Sequence, residues 1–347
     1  MGLGLRGQPG LVYAGMGTML TAVAVASVLF GATHVPMASL ISVVQEAVGL
    51  GGSDGVNPGH RYILMDLRLP RALIAIAVGA ALSIAGAMMQ GLFRNPLADP
   101  GLLGVSSGAA LGAASVIVIG WSVPGVPALT LPLAAFVGGV ASTLVVMWLS
   151  LRSGKTSVAN MLLAGIAINA LCGAITGLLV YVADDEDLRT LTFWTMGSLG
   201  GSTWNDLPSI LSLALVPAII GLALARSVNA LLLGESEARL LGVRVEHLKA
   251  AIVGLVCIIM GTSVAMTGMI GFVGLVVPHL CRMMLGPDNR RVFTGSLLMG
   301  ATLLLAADVL ARVIVAPAEL PIGIVTSVVG GPFFLFLLYR SRMVRRM

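Results

Sequence analysis

Between Arg71 and Arg94 the chain reads ALIAIAVGAALSIAGAMMQGLF (72–93), with no charge anywhere in it. A helix rises 1.5 Å per residue, so about 20 apolar residues cross the roughly 30 Å hydrocarbon core of a bilayer. The stretch therefore has the length of one membrane crossing, and its alanines and glycines suit close packing against other helices. The same criterion, carried outward, predicts a span over 11–30 on one side. On the other side the uncharged run from Asp99 to Arg152 is too long for one helix, and Pro124, Pro127 and Pro132 divide it into 102–120 and 131–150. Lys155 to Asp184 and Asp206 to Arg226 give one span each. Lys249 to Arg282 gives two, divided near Gly268, Gly271 and Pro278, the second short or bent. With 292–312 and 320–339 the expectation is ten spans, in a single all-α polytopic domain over 1–347.

Composition agrees. Of 347 residues 57% are apolar and 10% charged, where soluble domains carry about a quarter charged. So much apolar surface must face lipid rather than water. The net charge of +5 could suggest a nucleic-acid partner, but its placement is topological. An even number of spans puts both termini on one side, assigned here to the cytoplasm. Arg61, Arg68, Arg71, Arg189 and Arg312 then fall outside, and the other 15 of the 20 Lys and Arg fall inside. That bias obeys the positive-inside rule. The 11–30 run exceeds the core of a cleaved signal, so it is read as a first span. Cys172, Cys257 and Cys281 sit in apolar stretches without CxxC spacing, so neither a metal site nor a disulfide framework is expected.

Two catalytic-looking patterns fail on context. Gly104-Val105-Ser106-Ser107-Gly108 matches G-x-S-x-G, but a nucleophile elbow needs a preceding strand. Gly104, Gly108 and Gly112 read better as a small-residue ridge for helix packing. Ser153-Gly154-Lys155-Thr156 ends like a phosphate-binding loop, yet Leu149 stands where the first Gly is required. No catalytic residue is assigned, and the chain itself is not expected to bind ATP. An ion-coupled carrier keeps ionisable residues at mid-membrane, whereas the candidates Asp308 and Glu319 lie near the expected outer end.

Arg68, Arg71 and Arg312 break the charge bias. They read either as snorkelling anchors or as a positive docking surface. Between the sixth and seventh spans, 233–248 reads as a short helix, a stop at Gly242 and a second turn. Glu235 and Arg239 form a favourable i,i+4 pair, while Leu240, Leu241, Val243 and Val245 make the segment too apolar for a solvated loop. It suits either an interfacial helix or one that plugs into a partner's groove.

Arg68-Leu69-Pro70-Arg71, the run Gly86 to Gly101, Gly104 to Gly108, Leu233 to Gly242, Gly271 to His279 and Ala318 to Gly323 occur in one order. Together they resemble the permeases of type II ABC importers for iron-siderophores, haem and cobalamin, from about Arg68 to Leu338. The resemblance implies a type II importer permease fold, with ten helices in each copy of a homodimer in the bacterial inner membrane. It also implies two cytoplasmic ATPase subunits, which bind the ATP, and a periplasmic binding protein. Arg68, Arg71 and Arg312 match the family positions that meet this binding protein. Gly234, Glu235, Ala238, Arg239, Leu241 and Gly242 match the element that couples to the ATPase. Gating falls on Ser157, Val158, Ala159 and Asn160, although Val158 and Ala159 replace family hydroxyls. Asn95 to Pro100 with Val315 to Glu319 resembles the haem permeases most, so haem is the expected substrate, with ferric siderophores or cobalamin as alternatives and no resident cofactor. Met88, Met89, Met266 and Met269 could line the path with soft sulfur, and His34 and His60 could touch haem iron from outer loops. Purely packing and solvated roles stay open for all six.

Overall fold

The computed structural model describes residues 8–33, 35–47, 57–152 and 155–344. Alternation of long apolar runs with Gly, Pro and charge gives helices α1 (Pro9–Leu29), α2 (Met37–Ala47), α3 (Pro58–Leu92), α4 (Val105–Ile119) and α5 (Pro127–Ser150). Then follow α6 (Val158–Val182), α7 (Asp185–Met196), α8 (Leu207–Ala223), α9 (Ala225–Leu233) and α10 (Glu235–Leu240). The chain ends with α11 (Val245–Thr267), α12 (Val273–Leu285), α13 (Asn289–Val313) and α14 (Ile322–Val344). Between α5 and α6, strands β1 (Leu151–Arg152) and β2 (Lys155–Thr156) pair antiparallel.

Among the described residues six helices are long and apolar enough to cross a membrane: α1, α3, α5, α6, α11 and α13. One bent pair, α8 with α9, makes a seventh span, and three shorter apolar segments, in α4, α12 and α14, complete the ten expected. The span expected between Asp206 and Arg226 is α8, and at its end the chain turns by 54° into α9. Beyond the bend Asn229 is held by α13: its Nδ2 donates to Asp288 at 2.6 Å, and its Oδ1 accepts from the Asn289 backbone N–H at 2.8 Å. These bonds pin α9 sideways.

The founding stretch 72–93 becomes the central pillar, with 89% of its apolar window buried. Its small residues explain why. Gly300 of α13 rides over Gly79 and Ser83 of α3, where an added Cβ would strike Ser83 Oγ and the Gly79 carbonyl. Within a bilayer, where lipid is as apolar as leucine, such close dispersion contact is what holds helices together. Of the expected ridge, Gly108 and Gly112 pack as read: a Cβ at Gly108 would strike the Gly138 carbonyl and Ser142, and one at Gly112 the Ala134 carbonyl, all on α5, whereas Gly104 stands just ahead of α4 at φ +81°. Ser142 Oγ also donates to the Gly104 carbonyl at 2.7 Å.

Candidate functional site

Two polar clusters stand at opposite ends of α3. At its N-terminal end, where the helix widens into a π-turn over Ile63–Arg68, the three expected docking arginines come together. They do not project. Arg68, Arg71 and Arg312 are only 5, 9 and 4% exposed, so the expectation of an open basic surface is corrected. An ammonium or guanidinium removed from water needs counter-charge or carbonyl partners, and each arginine has them. Arg71 Nε donates to Asp308 Oδ1 at 2.8 Å, and its Nη1 reaches Glu319 at 2.9 Å. Arg312 Nε lies 3.1 Å from Asp308 Oδ2, an ion pair without hydrogen-bond alignment, and its Nη2 donates to Ser27 Oγ at 2.9 Å. Arg68 donates to the carbonyls of Val28, Leu29 and Thr33 at the end of α1. The three guanidinium groups and Glu319 border a cavity of about 180 Å³. Asp308 and Glu319, the two acids that could have served ion coupling, are thus counter-charges to arginine. His60 Nδ1 pairs with Ser39 Oγ at 2.8 Å, and His34 lies outside the described residues.

At the other end, α10 sits between α9 and α11. Gly234 enters it at φ +133°, and Gly242 leaves it at φ +83°. The Gly242 N–H donates to the Arg239 carbonyl and the Val243 N–H to the Ala238 carbonyl, both at 3.0 Å. This pair of bonds is the Schellman stop that a glycine in the left-handed region permits. Ala238 is fully buried against the bundle, whereas Leu240 and Leu241 are 89 and 64% exposed. The element therefore offers two leucines outward on a short, otherwise charged helix.

Behind α10 lies a network of which the sequence reading named only Glu235 and Arg239. Lys249 of α11 is 1% exposed. Its Nζ lies 2.9 Å from Glu235 Oε1 and 3.5 Å from Glu246 Oε1, and it donates to the Thr156 carbonyl at 2.7 Å. The Thr156 N–H donates to Glu246 Oε2 at 2.8 Å, and Arg239 Nη2 to Glu246 Oε1 at 3.1 Å. Glu246 and Lys249 were legible as an i,i+3 pair, but their link to a strand some 90 residues earlier has no local signal. The gate candidates follow at once: Ser157 caps α6, its Oγ accepting from the Asn160 N–H at 3.3 Å. Val158 is half-buried and Ala159 exposed.

Met88 and Met89 are fully buried among the helices of one chain. As lining candidates they are corrected: the neighbouring Gly221 lets α8 close over Met88. An open concavity of about 430 Å³ lies elsewhere, bordered by Thr195, Met196, Met269, Gly323, Ser327 and Val328. Met269 was among the expected methionines; Met196, at the end of α7, was not.

The model of the FecCD transport family matches residues 19–340. The chain belongs to the FecCD transport family. This permease is 49% identical over 290 residues to the hemin transport system permease protein HmuU of Yersinia pestis, covering 83% of the chain and 86% of the relative. It is 41% identical over 291 residues to the cobalamin import system permease protein BtuC of Halobacterium salinarum (84% of this chain, 77% of that one). It is 40% identical over 307 residues to the vitamin B12 import system permease protein BtuC of Escherichia coli (88 and 92%). Its fold overlays that of a metal-chelate type ABC transporter solved in an inward-facing conformation, with a TM-score of 0.82, 32% identity and coverage of 95% of this chain and 99% of that one. The permease is thus the multi-pass membrane subunit of an ABC importer, with the type II importer fold.

Proposed function

We propose that this permease carries haem across the bacterial inner membrane as a homodimer, with both termini in the cytoplasm. A periplasmic protein delivers the haem, and two cytoplasmic ATPase subunits, which alone bind ATP, drive the cycle. The observation that carries the substrate is the chain's greater identity to the hemin permease than to either cobalamin permease. A supporting one is the open concavity bordered by Met196 and Met269, whose polarizable thioethers suit a flat, greasy macrocycle.

The exposed apolar side chains of α6, such as Leu163, Leu178 and Tyr181, suit a second copy and lipid. Leu240 and Leu241 suit a groove on the ATPase, the helix-in-groove mode of recognition. Since Arg68, Arg71 and Arg312 are buried, the delivery protein meets their charge through the cavity mouth, and an acidic side chain entering beside Glu319 is what that charge would steer. Ser157 to Asn160 form the gate at the opposite end of the path.

The test is ATP hydrolysis by the assembled complex with its binding protein. Haem is expected to stimulate hydrolysis more than cobalamin or a ferric siderophore does. Stronger stimulation by either of the others would overturn the haem reading.

A further inference from the structure

We infer that Lys249 and Glu246 form a two-rung charged clamp that transmits movement of α10 to the start of α6; Lys249 is thereby a positioning residue for the gate. The inference rests on the ATP-driven reading above and deepens it.

Three pieces of chain meet at one buried ammonium. Glu235 is the first residue of α10, Lys249 lies in the second turn of α11, and Thr156 ends β2. The first rung runs from Glu235 Oε1 to Lys249 Nζ over 2.9 Å, and on to the Thr156 carbonyl over 2.7 Å. The second runs from Arg239 Nη2 to Glu246 Oε1 over 3.1 Å, and from Glu246 Oε2 to the Thr156 N–H over 2.8 Å. Glu235 and Arg239 themselves lie 3.7 Å apart, which closes the ladder on the α10 side. Both backbone polar groups of Thr156 are therefore held by charged side chains that also hold α10.

A hydrogen bond to an ionised partner is stronger and more directional than a neutral one, and a lysine sealed from water has no solvent to replace a lost acceptor. Displacing α10 must therefore either carry Thr156 along or strand a buried charge. Thr156 is followed directly by Ser157, the cap of α6. A shift of the clamp is thus delivered to the first turn of the gate helix, with no flexible linker between. The Arg239–Glu246 rung, whose side chains are 43 and 29% exposed, shares its partners with water and transmits little; the stiff rung is the one through Lys249. The depth of Lys249 is what makes the contact stiff.

The experiment uses the permease with its ATPase partner and binding protein in proteoliposomes, with haem as the probe. The readout is haem transported per ATP hydrolysed, normalised to assembled complex. For Lys249→Met that ratio is expected to fall about tenfold, within the usual range of coupling free energies. Glu246→Gln, which keeps shape but loses charge, is expected to fall likewise. Lys249→Arg, which keeps the charge and donors, should recover most of the loss. A merely structural role would lower transport and hydrolysis in step and leave the ratio unchanged in both variants, and that result overturns the inference.

Should Lys249→Met fail to assemble, Glu246→Gln decides alone. The clamp is also read without substrate, from the distance between spin labels at Ser236 and Ala159 as nucleotide is added. The separation is expected to hold steady in the parent complex and to change with nucleotide in Lys249→Met. Equal behaviour in both overturns the clamp, whereas a parent complex that hydrolyses ATP without moving haem overturns only the functional reading.

Discussion

Asp308 shows how one residue decides the fate of two. It is fully buried, carries Arg71 at 2.8 Å and sits beside Arg312. Arg68-Leu69-Pro70-Arg71 was visible in the sequence as a cationic exception. That its charges turn inward was not, because the acid that draws Arg71 lies 237 residues away. Breaking a buried ion pair from one side costs more than deleting both members, since it strands an uncompensated charge. Asp308→Asn is accordingly expected to destabilise the permease by about 3–5 kcal/mol, read from thermal unfolding in detergent. Adding Arg71→Met should return part of that loss, because the two changes share a partner. An Asp308→Asn variant that melts with the parent would show that the arginines are satisfied without it.

At the scale of elements, the joint between α4 and α5 is the sharpest case. Gly108 admits the Gly138 carbonyl and Ser142 where any side chain would stand. Gly108→Val should cost about 1–3 kcal/mol through overpacking, whereas the same change at Gly15, with open space around it, should leave the melting temperature where it was. Equal effects at the two sites would argue that helix propensity, not close approach, sets the glycine content.

The contact was legible because Gly108 and Gly112, four residues apart, fall on one helix face. All ten apolar segments were legible for a similarly simple reason: hydrocarbon excludes charge, so uncharged windows mark them. What escaped were α2 and α7: α2, with 11 residues, is too short to cross and shares the uncharged run of α1, and α7 carries charge. The first turn of α7 is acidic, and Asp184 caps it by accepting from the N–H groups of Glu186 and Asp187. The bend between α8 and α9 escaped as well, since it depends on Asn229 finding Asp288 across the fold. That carboxyl illustrates a balance of forces. Burial works against its charge, but the Asn229 amide and the Arg290 N–H outweigh burial and hold it below the usual aspartate range. Its folded value is depressed, so the stability it gives is present above the ordinary aspartate range and fades as pH falls through that depressed value. Asn229→Leu should therefore lose stability at neutral pH and show a smaller further loss in acid than the parent, measured by melts across pH.

For the whole molecule, the decisive feature is that the machinery is split between its ends. The arginine cavity lies at one end of α3, the α10 ladder at the other, and the two corrected expectations share a cause. Met88 and Met89, like Arg68 and Arg71, sit on α3, and α3 is the most enclosed helix of the bundle. A sequence marks which residues are unusual on a helix, but which face of the helix lies open is set by neighbours packed from the rest of the chain. The open ground is instead at the end of α7 and the start of α14, and at the two exposed leucines of α10. The functional account assigns the work to those leucines as the docking point of an external motor.

Haem uptake into proteoliposomes measures this most directly, with ATP and the ATPase partner present, for the parent and for Leu240→Asp with Leu241→Asp. The account predicts uptake that requires both ATPase and ATP and that the double substitution abolishes along with ATPase recovery in the complex. Uptake driven by an ion gradient without the ATPase, or undiminished in the double variant, would contradict it.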